Sequence, residues 1–574
     1  MLRPSLLLCA LCFVGLLKAQ LPIPTNELDY RIQLSVDRLT DQSVNPAFNQ
    51  AFILADVNLQ ANNPRRFDNF SGDLSGRYIE VMSLLSEQER EVAHLDELVA
   101  AVLKFQQPDG RFGDPDLQFT AEAIGGEHMA LLWGNGRLLL GLMTYYEQTE
   151  DQTVLAAASR LGDFFISTME ACRQPAVVEK LAGLGAHGII CFTQYIEGLV
   201  PLAQATSEER FVEAAASAYQ IMPERGIQHS HGYLTTLRGA LMLHELTGNP
   251  EQLDYVRRTF DDLLASEDYT LYGAVFEYFG GHGERDEGCS SADFMRLAFH
   301  LYQLTDELHY LEVAEAALLN ALYLNQHEQG DFGNRFYAEF GLDASNPRRA
   351  WWCCTMHGLR ALLAVKEEFL FNFQQNRVTM SLWLNQRLVR EGMDLEIRQL
   401  SPENGRERWQ LTFNEWPAKS FKVRLPSWGQ NWQILQNGDQ TSYEPGFLII
   451  ADPDQRKEIT FSTQMRLAFL GENEDQPSLE LPARPQSGYL FYGPYLMGIH
   501  QADFIAEPDW GHQVALAELQ PDPDRANCLQ TQYRNSGYPG LLDLQLVPVG
   551  QQLYFGHPYT RVKTGYGLEL KVGN

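Results

Sequence analysis

The sequence predicts a chain in two parts, a closed double ring of paired α-helices followed by β-sandwich modules. Three observations carry this. Apolar residues recur at three- and four-residue steps from about residue 90 to 370. Near Phe373 the pattern changes to alternation. Finally, the helical block shows no fixed repeat period of the kind that would mark a solenoid of helix pairs. A length of 574 residues implies more than one domain, and 45% hydrophobic residues suffice for large cores.

Taken in order, the chain opens with the features of a secretory signal over residues 1–19. Arg3 supplies the positive start, an apolar run follows from Leu6 to Leu17, and Leu17-Lys18-Ala19 offers a cleavage site. The run is short for a transmembrane anchor, and no later stretch resembles a membrane span, so the mature chain is expected to be secreted or periplasmic. Residues 20–90 form a mixed segment expected to pack onto the helical block. Residues 91–373 carry ten to twelve helical segments. Val92, Leu95, Val99 and Val102 share one helix face, as do Leu253, Val256, Phe260 and Leu263. Gly248-Asn249-Pro250 closes one helix and opens the next. From 374 to 480, alternation at Val378-Met380-Leu382-Leu384, Leu411-Phe413 and Ile459-Phe461 predicts a β-sandwich. Residues 481–574 continue it or form a second β module.

A formal charge of -30 argues against a nucleic-acid partner, because phosphate binding needs a basic surface. Acidity of this degree also keeps an exported protein soluble. Of eight cysteines, Cys9 and Cys12 leave with the signal. Export makes disulfides the default for the remaining six, and Cys172 with Cys191 is one conceivable pair. Adjacent Cys353-Cys354 suits a disulfide poorly, since neighbouring cysteines bond each other only with backbone strain. Two thiolates from one short segment suit a metal better.

The strongest constellation is split. Glu287-Gly288-Cys289 precedes one predicted helix and Trp351-Trp352-Cys353-Cys354 precedes another, 353 − 289 = 64 residues later. Three thiolates and one carboxylate, from Cys289, Cys353, Cys354 and Glu287, would complete a tetrahedral zinc shell. Four anionic ligands on a dication leave the site negative, so one thiolate could be reactive. A closed structural staple, or buried thiols that bind nothing, fits the spacing equally well.

These motifs, in this order and ahead of a β region, resemble the β-L-arabinofuranosidase family of glycoside hydrolases. Gln106-Gln107-Pro108-Asp109-Gly110, Arg424-Leu425-Pro426-Ser427-Trp428 and Tyr492-Gly493-Pro494 agree with it. The resemblance implies an (α/α)6 barrel catalytic domain followed by β-sandwich modules, a carbohydrate substrate, Zn2+, and hydrolysis that retains anomeric configuration. It gives Cys353 the part of a metal-bound nucleophile, with Glu287, Cys289 and Cys354 as the other ligands. A thiolate so activated would attack the anomeric carbon. A carboxylic acid with a raised pKa would protonate the leaving oxygen and then activate water.

Two residues compete for that acid. Glu277 lies among Phe276, Tyr278 and Phe279, surroundings that raise a carboxyl pKa, whereas Glu284 adjoins Arg285, which should lower it. Glu277 is the choice, against the alternative of an ordinary strand-edge carboxylate. For the sugar, His128 resembles a family contact, and Trp133 and His231 are further candidates. Buried structural roles are the plainer account of each. Other family histidines are replaced by Asn135, Gln194 and Thr235, which bears on the arabinose specificity; His229 or His231 would substitute. His357 is placed to support the metal ligands, and Trp351 and Trp352 to stack on a sugar. Two rival readings remain. One is an inverting glycosidase or lyase with structural zinc, using Asp109, Asp114 or Asp286. The other is a non-catalytic carbohydrate-binding surface protein.

Overall fold

The computed structural model describes residues 24–59, 69–226, 228–270, 273–280, 285–334, 336–338, 341–343, 349–350, 352–374, 377–390, 392–417, 420–436, 439–453, 457–471, 488–499, 519–534 and 541–551. The secretory-signal residues, Glu284 and Trp351 lie outside these.

Helices dominate to about residue 369 and strands follow. Among the described residues the twelve longer helices are α1 (Glu27–Thr40), α2 (Asp73–Ser83), α3 (Leu95–Leu103), α4 (Gly126–Thr149), α5 (Gln152–Cys172), α6 (Ile196–Thr206), α7 (Glu209–Tyr219), α8 (Ser230–Thr247), α9 (Pro250–Leu264), α10 (Gly288–Thr305), α11 (Leu308–Ala316) and α12 (Trp352–Ala364). Their packing follows a rule. The even-numbered helices touch in sequence, α2 on α4, α4 on α6, α6 on α8, α8 on α10 and α10 on α12, and α12 returns to α2. Each odd-numbered helix lies against an even neighbour; α5 packs on α4, α9 on α8, and α1 on α12.

Burial separates the two sets as this packing requires. Every residue of α2 is buried, and α4 is buried from His128 to Tyr145. By contrast, α9 buries only Gln252, Val256, Phe260 and Leu263, one stripe at helical spacing. The predicted stop between α8 and α9 is present in detail. Gly248 takes a left-handed φ of 71° after α8, which a glycine adopts without a Cβ penalty. The Asn249 side chain then accepts from the Glu251 amide at 3.1 Å, and Pro250 is the first residue of α9.

Among the described residues the strands form three larger sheets. One has the order β9-β6-β2-β1, built from Phe371–Gln374 (β1), Arg377–Met380 (β2), Ser420–Leu425 (β6) and Gly446–Ala451 (β9); its β2–β6 pair is parallel. The second has the order β8-β7-β10-β5-β4-β3, from Gln386–Arg390 (β3), Met393–Glu403 (β4), Arg406–Glu415 (β5), Gly429–Gln436 (β7), Asp439–Tyr443 (β8) and Glu458–Met465 (β10). These two face each other across aromatic rings, with Phe413 of β5 5.3 Å from Phe421 of β6. The third sheet takes the strands from Leu467 to Pro548.

Specific bonds join the β region to the helices. Asn320 donates to the Pro494 carbonyl at 2.9 Å and accepts from the Leu496 amide at 2.9 Å. Glu315 of α11 takes the Trp428 indole N–H at 2.9 Å and the Arg424 guanidinium at 3.1 Å. No helix among the described residues is long and apolar enough to cross a membrane.

Candidate metal centre and active site

Helices α8, α10 and α12 bring their N-termini to one place. Glu287 is the N-cap of α10 and Cys289 follows in its first turn, while Cys353 and Cys354 occupy the first turn of α12. His229 is the N-cap of α8. Helix N-termini favour anions, so both thiol-bearing turns suit thiolates. Gly288 makes the approach possible. A Cβ there would meet Asn325 Oδ1 at 2.9 Å and Cys354 Cβ at 3.0 Å, so no larger residue fits between the two donors of this turn.

The four donors converge. One ligand atom from each of Glu287, Cys289, Cys353 and Cys354 lies within 4.8 Å of the others, and all four residues are buried. Cys289 and Cys354 hold their sulfurs 3.7 Å apart. Cys354 Sγ lies 3.9 Å from Glu287 Oε1. A tetrahedral zinc with Zn–S bonds of ~2.3 Å sets its sulfurs ~3.8 Å apart, so the donor set fits that ion in chemistry and spacing. Protons are shared unequally. Hydrogen bonds from the Cys289 and Cys354 thiols hold Cys353 well below the usual thiol range, while burial pushes Cys289 and Cys354 up. All six described cysteines are free thiols, Cys172, Cys191 and Cys528 included.

Glu277 joins this group. Its carboxylate, that of Glu287 and the His229 ring lie within 4.8 Å of one another. Burial raises the Glu277 carboxyl and the Glu287 charge adds to it, against the hydrogen bond from Arg285. Arg285 pairs with Glu277; its expected partner Glu284 lies outside the described residues. His229 Nε2 stands 3.4 Å from Glu287 Oε2. Burial works against both charges of that pair, but the hydrogen bond between them prevails, so Glu287 is lowered and His229 raised. The other His229 ring nitrogen, Nδ1, is buried with no hydrogen-bond partner.

The proposed sugar contacts are all buried. His128 Nδ1 accepts from the Gly125 amide at 3.3 Å and Nε2 meets the Gln118 carbonyl at 3.1 Å, so both nitrogens bond backbone of the segment that leads into α4. Trp133 donates to Asp73 at 3.0 Å and sets its ring edge-on to His229 and His231. His231 lies between Arg77, at 2.7 Å, and Asp293. His357 likewise lies between Arg77 at 3.1 Å and Asp293 at 2.8 Å.

Asn135, Gln194 and Thr235 are fully buried and bonded to other protein groups, the Phe112 amide, Arg137 and the His231 carbonyl respectively. Asp109 pairs with Arg111 at 2.6 Å. The Asp73–Arg77 pair was not singled out from the sequence. Its signal, an acid and a base four apart on a helix, is shared by many solvent-exposed pairs.

The family model described as β-L-arabinofuranosidase, GH127 catalytic domain, matches residues 25–367. Among solved structures, a GH127 β-arabinofuranosidase superposes with a TM-score of 0.65 at 14% identity, over 95% of this chain and 95% of its own. A GH127 β-L-arabinofuranosidase from Geobacillus stearothermophilus T6 gives 0.61 at 13%, over 95% and 98%. A protein described as a glycoside hydrolase gives 0.59 at 15%, over 90% and 93%. At these identities the likeness is one of fold. No curated protein sequence matches the chain.

Proposed function

The chain belongs to the β-L-arabinofuranosidase family of glycoside hydrolases, GH127, and from that premise we propose that it is a secreted, zinc-dependent retaining glycosidase. Its nucleophile is Cys353 and its acid and base is Glu277. The observation that carries the reading is the convergence of three sulfurs and the Glu287 carboxylate, with Glu277 beside them. The helices form an (α/α)6 barrel, a reading supported by the return of α12 to α2. The first two sheets form a β-sandwich. Export, to the periplasm or beyond, rests on Arg3 and the apolar run after it.

Glu287, Cys289, Cys353 and Cys354 would hold the zinc, which favours the thiolate form of its sulfur ligands and fixes their positions. The Cys353 thiolate attacks the anomeric carbon as the glycosidic C–O bond breaks. Glu277 gives its proton to the departing oxygen, leaving the sugar bound to sulfur. Glu277, now a carboxylate, takes a proton from water. The water oxygen displaces the Cys353 sulfur from the same carbon, and two displacements retain configuration. An inverting mechanism on this site needs two carboxyl groups ~6.5–9.5 Å apart, and those of Glu277 and Glu287 are closer, within 4.8 Å.

The substrate is a glycan, β-L-arabinofuranosides being the first class to test. Asn135, Gln194 and Thr235 are committed to contacts within the protein, so the sugar must be read by other groups. The unpartnered Nδ1 of His229 suits a sugar hydroxyl. Metal analysis of the purified protein, with a panel of nitrophenyl glycosides, tests the reading. Stoichiometric zinc, turnover of one glycoside, and a sugar adduct on Cys353 by mass spectrometry are expected. A metal-free preparation with full activity, or a Cys353→Ser variant that turns over normally, ends it.

A further inference from the structure

Arg77 of α2 is 3% exposed at its side chain, and each of its nitrogens is engaged. Nε donates to Asp73 Oδ1 at 2.8 Å. Nη2 reaches His231 Nε2 at 2.7 Å. Nη1 reaches His357 Nδ1 at 3.1 Å and the Cys289 sulfur at 3.9 Å.

A guanidinium has only hydrogens to offer, so the two ring nitrogens that face it must be bare acceptors. The opposite nitrogens face a carboxylate. His231 Nδ1 meets Asp293 Oδ2, and His357 Nε2 meets Asp293 Oδ1 at 2.8 Å. Those nitrogens carry the hydrogens. Both imidazoles are therefore neutral and each tautomer is fixed, closing a loop from Arg77 through two histidines to Asp293. The loop engages both ring nitrogens of His231 and His357 and both oxygens of Asp293, so this trio, though close enough to hold a cation, is occupied by hydrogen bonds.

Charge explains what the loop is for. Three thiolates and a carboxylate carry four negative charges, and a dication leaves two uncompensated. Arg77, held by Asp73 on its Nε side, turns the Nη1 end of its cation toward one of the sulfurs. Two neutral histidines hold it there without adding charge of their own.

We propose that Arg77 is the charge-balancing, positioning residue of the metal centre, its Nη1 donating to the Cys289 thiolate while the His231–Asp293–His357 bridge fixes its aim. A hydrogen bond to a metal-bound sulfur draws electron density from it, and partners of this kind commonly alter metal affinity about 10–100-fold. The inference rests on the metal reading above and concerns Cys289, which has no part in bond making.

The test uses the full-length protein, the Arg77→Lys and Arg77→Met variants, and zinc and cobalt(II) as probes. Zinc affinity is read by competition with a chromophoric chelator, and the sulfur-to-cobalt charge-transfer band by absorption. The expected order of zinc affinity is parent, then Arg77→Lys, then Arg77→Met, the last at least tenfold weaker. Its cobalt band should shift, because a merely structural role would change stability without changing the sulfur donor. Partial recovery with lysine marks the charge, and the remaining deficit marks the lost fork geometry. A folded Arg77→Met protein with parental zinc affinity and an unshifted cobalt band overturns the inference. Should that variant not fold, Arg77→Lys decides alone. A severalfold loss of affinity with a shifted band upholds the inference, and parental values overturn it. A parent protein that binds neither ion brings down the metal reading itself, which separates the two failures.

Discussion

The sulfurs of Cys289 and Cys354 lie 3.7 Å apart although 65 positions separate them in the chain. Two buried thiols held at the edge length of a zinc tetrahedron, with Cys353 and Glu287 completing the set, should bind one zinc per chain. Removing it with a chelator should lower the melting temperature as well as activity, because four buried anionic groups lose their common cation. Cys354→Ser should lose zinc measurably by elemental analysis. A chelated protein that melts at the parental temperature speaks against the site.

Cys353→Ser separates reaction from binding. A serine hydroxyl is a far poorer nucleophile here, since it stays protonated. Turnover of nitrophenyl glycosides should fall by ~10³-fold or more, as for other nucleophile deletions. Cys289, Cys354 and Glu287 remain as donors, so zinc content should fall less than in Cys354→Ser. Equal activity losses in the two variants, tracking metal content, would reassign Cys353 to a purely structural part.

Glu277→Gln tests the acid. Burial and the Glu287 charge raise this carboxyl. It therefore starts protonated further up the pH scale than an ordinary glutamate, and activity should decline on the alkaline side as it ionises. The variant should lose about 10²–10⁴-fold in turnover of substrates with poor leaving groups. Aryl glycosides with good leaving groups should lose less in the first step, and added azide should restore part of the second. An unchanged alkaline limb in Glu277→Gln would move the role elsewhere.

The Gly288→Ala variant probes the fit between ligands. Its Cβ would sit 3.0 Å from Cys354 Cβ and 3.1 Å from the Gly333 carbonyl, distances that force one of the two turns to move. A loss of ~1–3 kcal/mol in stability is expected from such overpacking, with weakened zinc binding in the same competition assay. Parental stability and affinity would show that the turns are slack.

Some of this centre was legible in the sequence and some was not, for physical reasons. Glu287-x-Cys289 and Cys353-Cys354 stand out because each places two donors within one helical turn, a local feature. Glu277 was legible through its aromatic neighbours. The Arg285–Glu277 pair was not legible, because it joins residues eight positions apart, a contact that adjacency in sequence does not reveal. Arg77 was invisible for a different reason. On α2, Leu74, Tyr78, Val81 and Met82 already form an apolar stripe, so Asp73, Arg77 and Glu80 read as the solvent side of an amphipathic helix, whereas all of them are buried. Its partners, Cys289 and His357, lie 212 and 280 positions away. Closure of the helical ring was inferred from the number of paired helices, the missing repeat period and the family resemblance, and the contact of α12 with α2 itself has no local signal, because it is tertiary.

A last prediction concerns the β region. Glu407 of β5 is fully buried where the second sheet meets the third. Its Oε1 accepts from the Tyr492 hydroxyl and the Asn527 amide, each at 3.2 Å. Burial outweighs those bonds and raises its pKa to about 8. The folded protein thus keeps a proton that the unfolded chain releases near its ordinary glutamate pKa of about 4.3. The stabilising contribution is whole below that value and is lost as pH rises through about 8. Between the two limits one extra proton on the folded side makes stability fall by ~1.4 kcal/mol per pH unit, and above about 8 the slope vanishes. Glu407→Gln keeps an oxygen acceptor for Tyr492 and Asn527 but cannot ionise. Urea unfolding from pH 5 to 8 should therefore show a steeper decline in the parent than in the variant, the two curves separating as pH rises. Parallel curves would mean that Glu407 ionises normally and that water reaches the seam between the sheets.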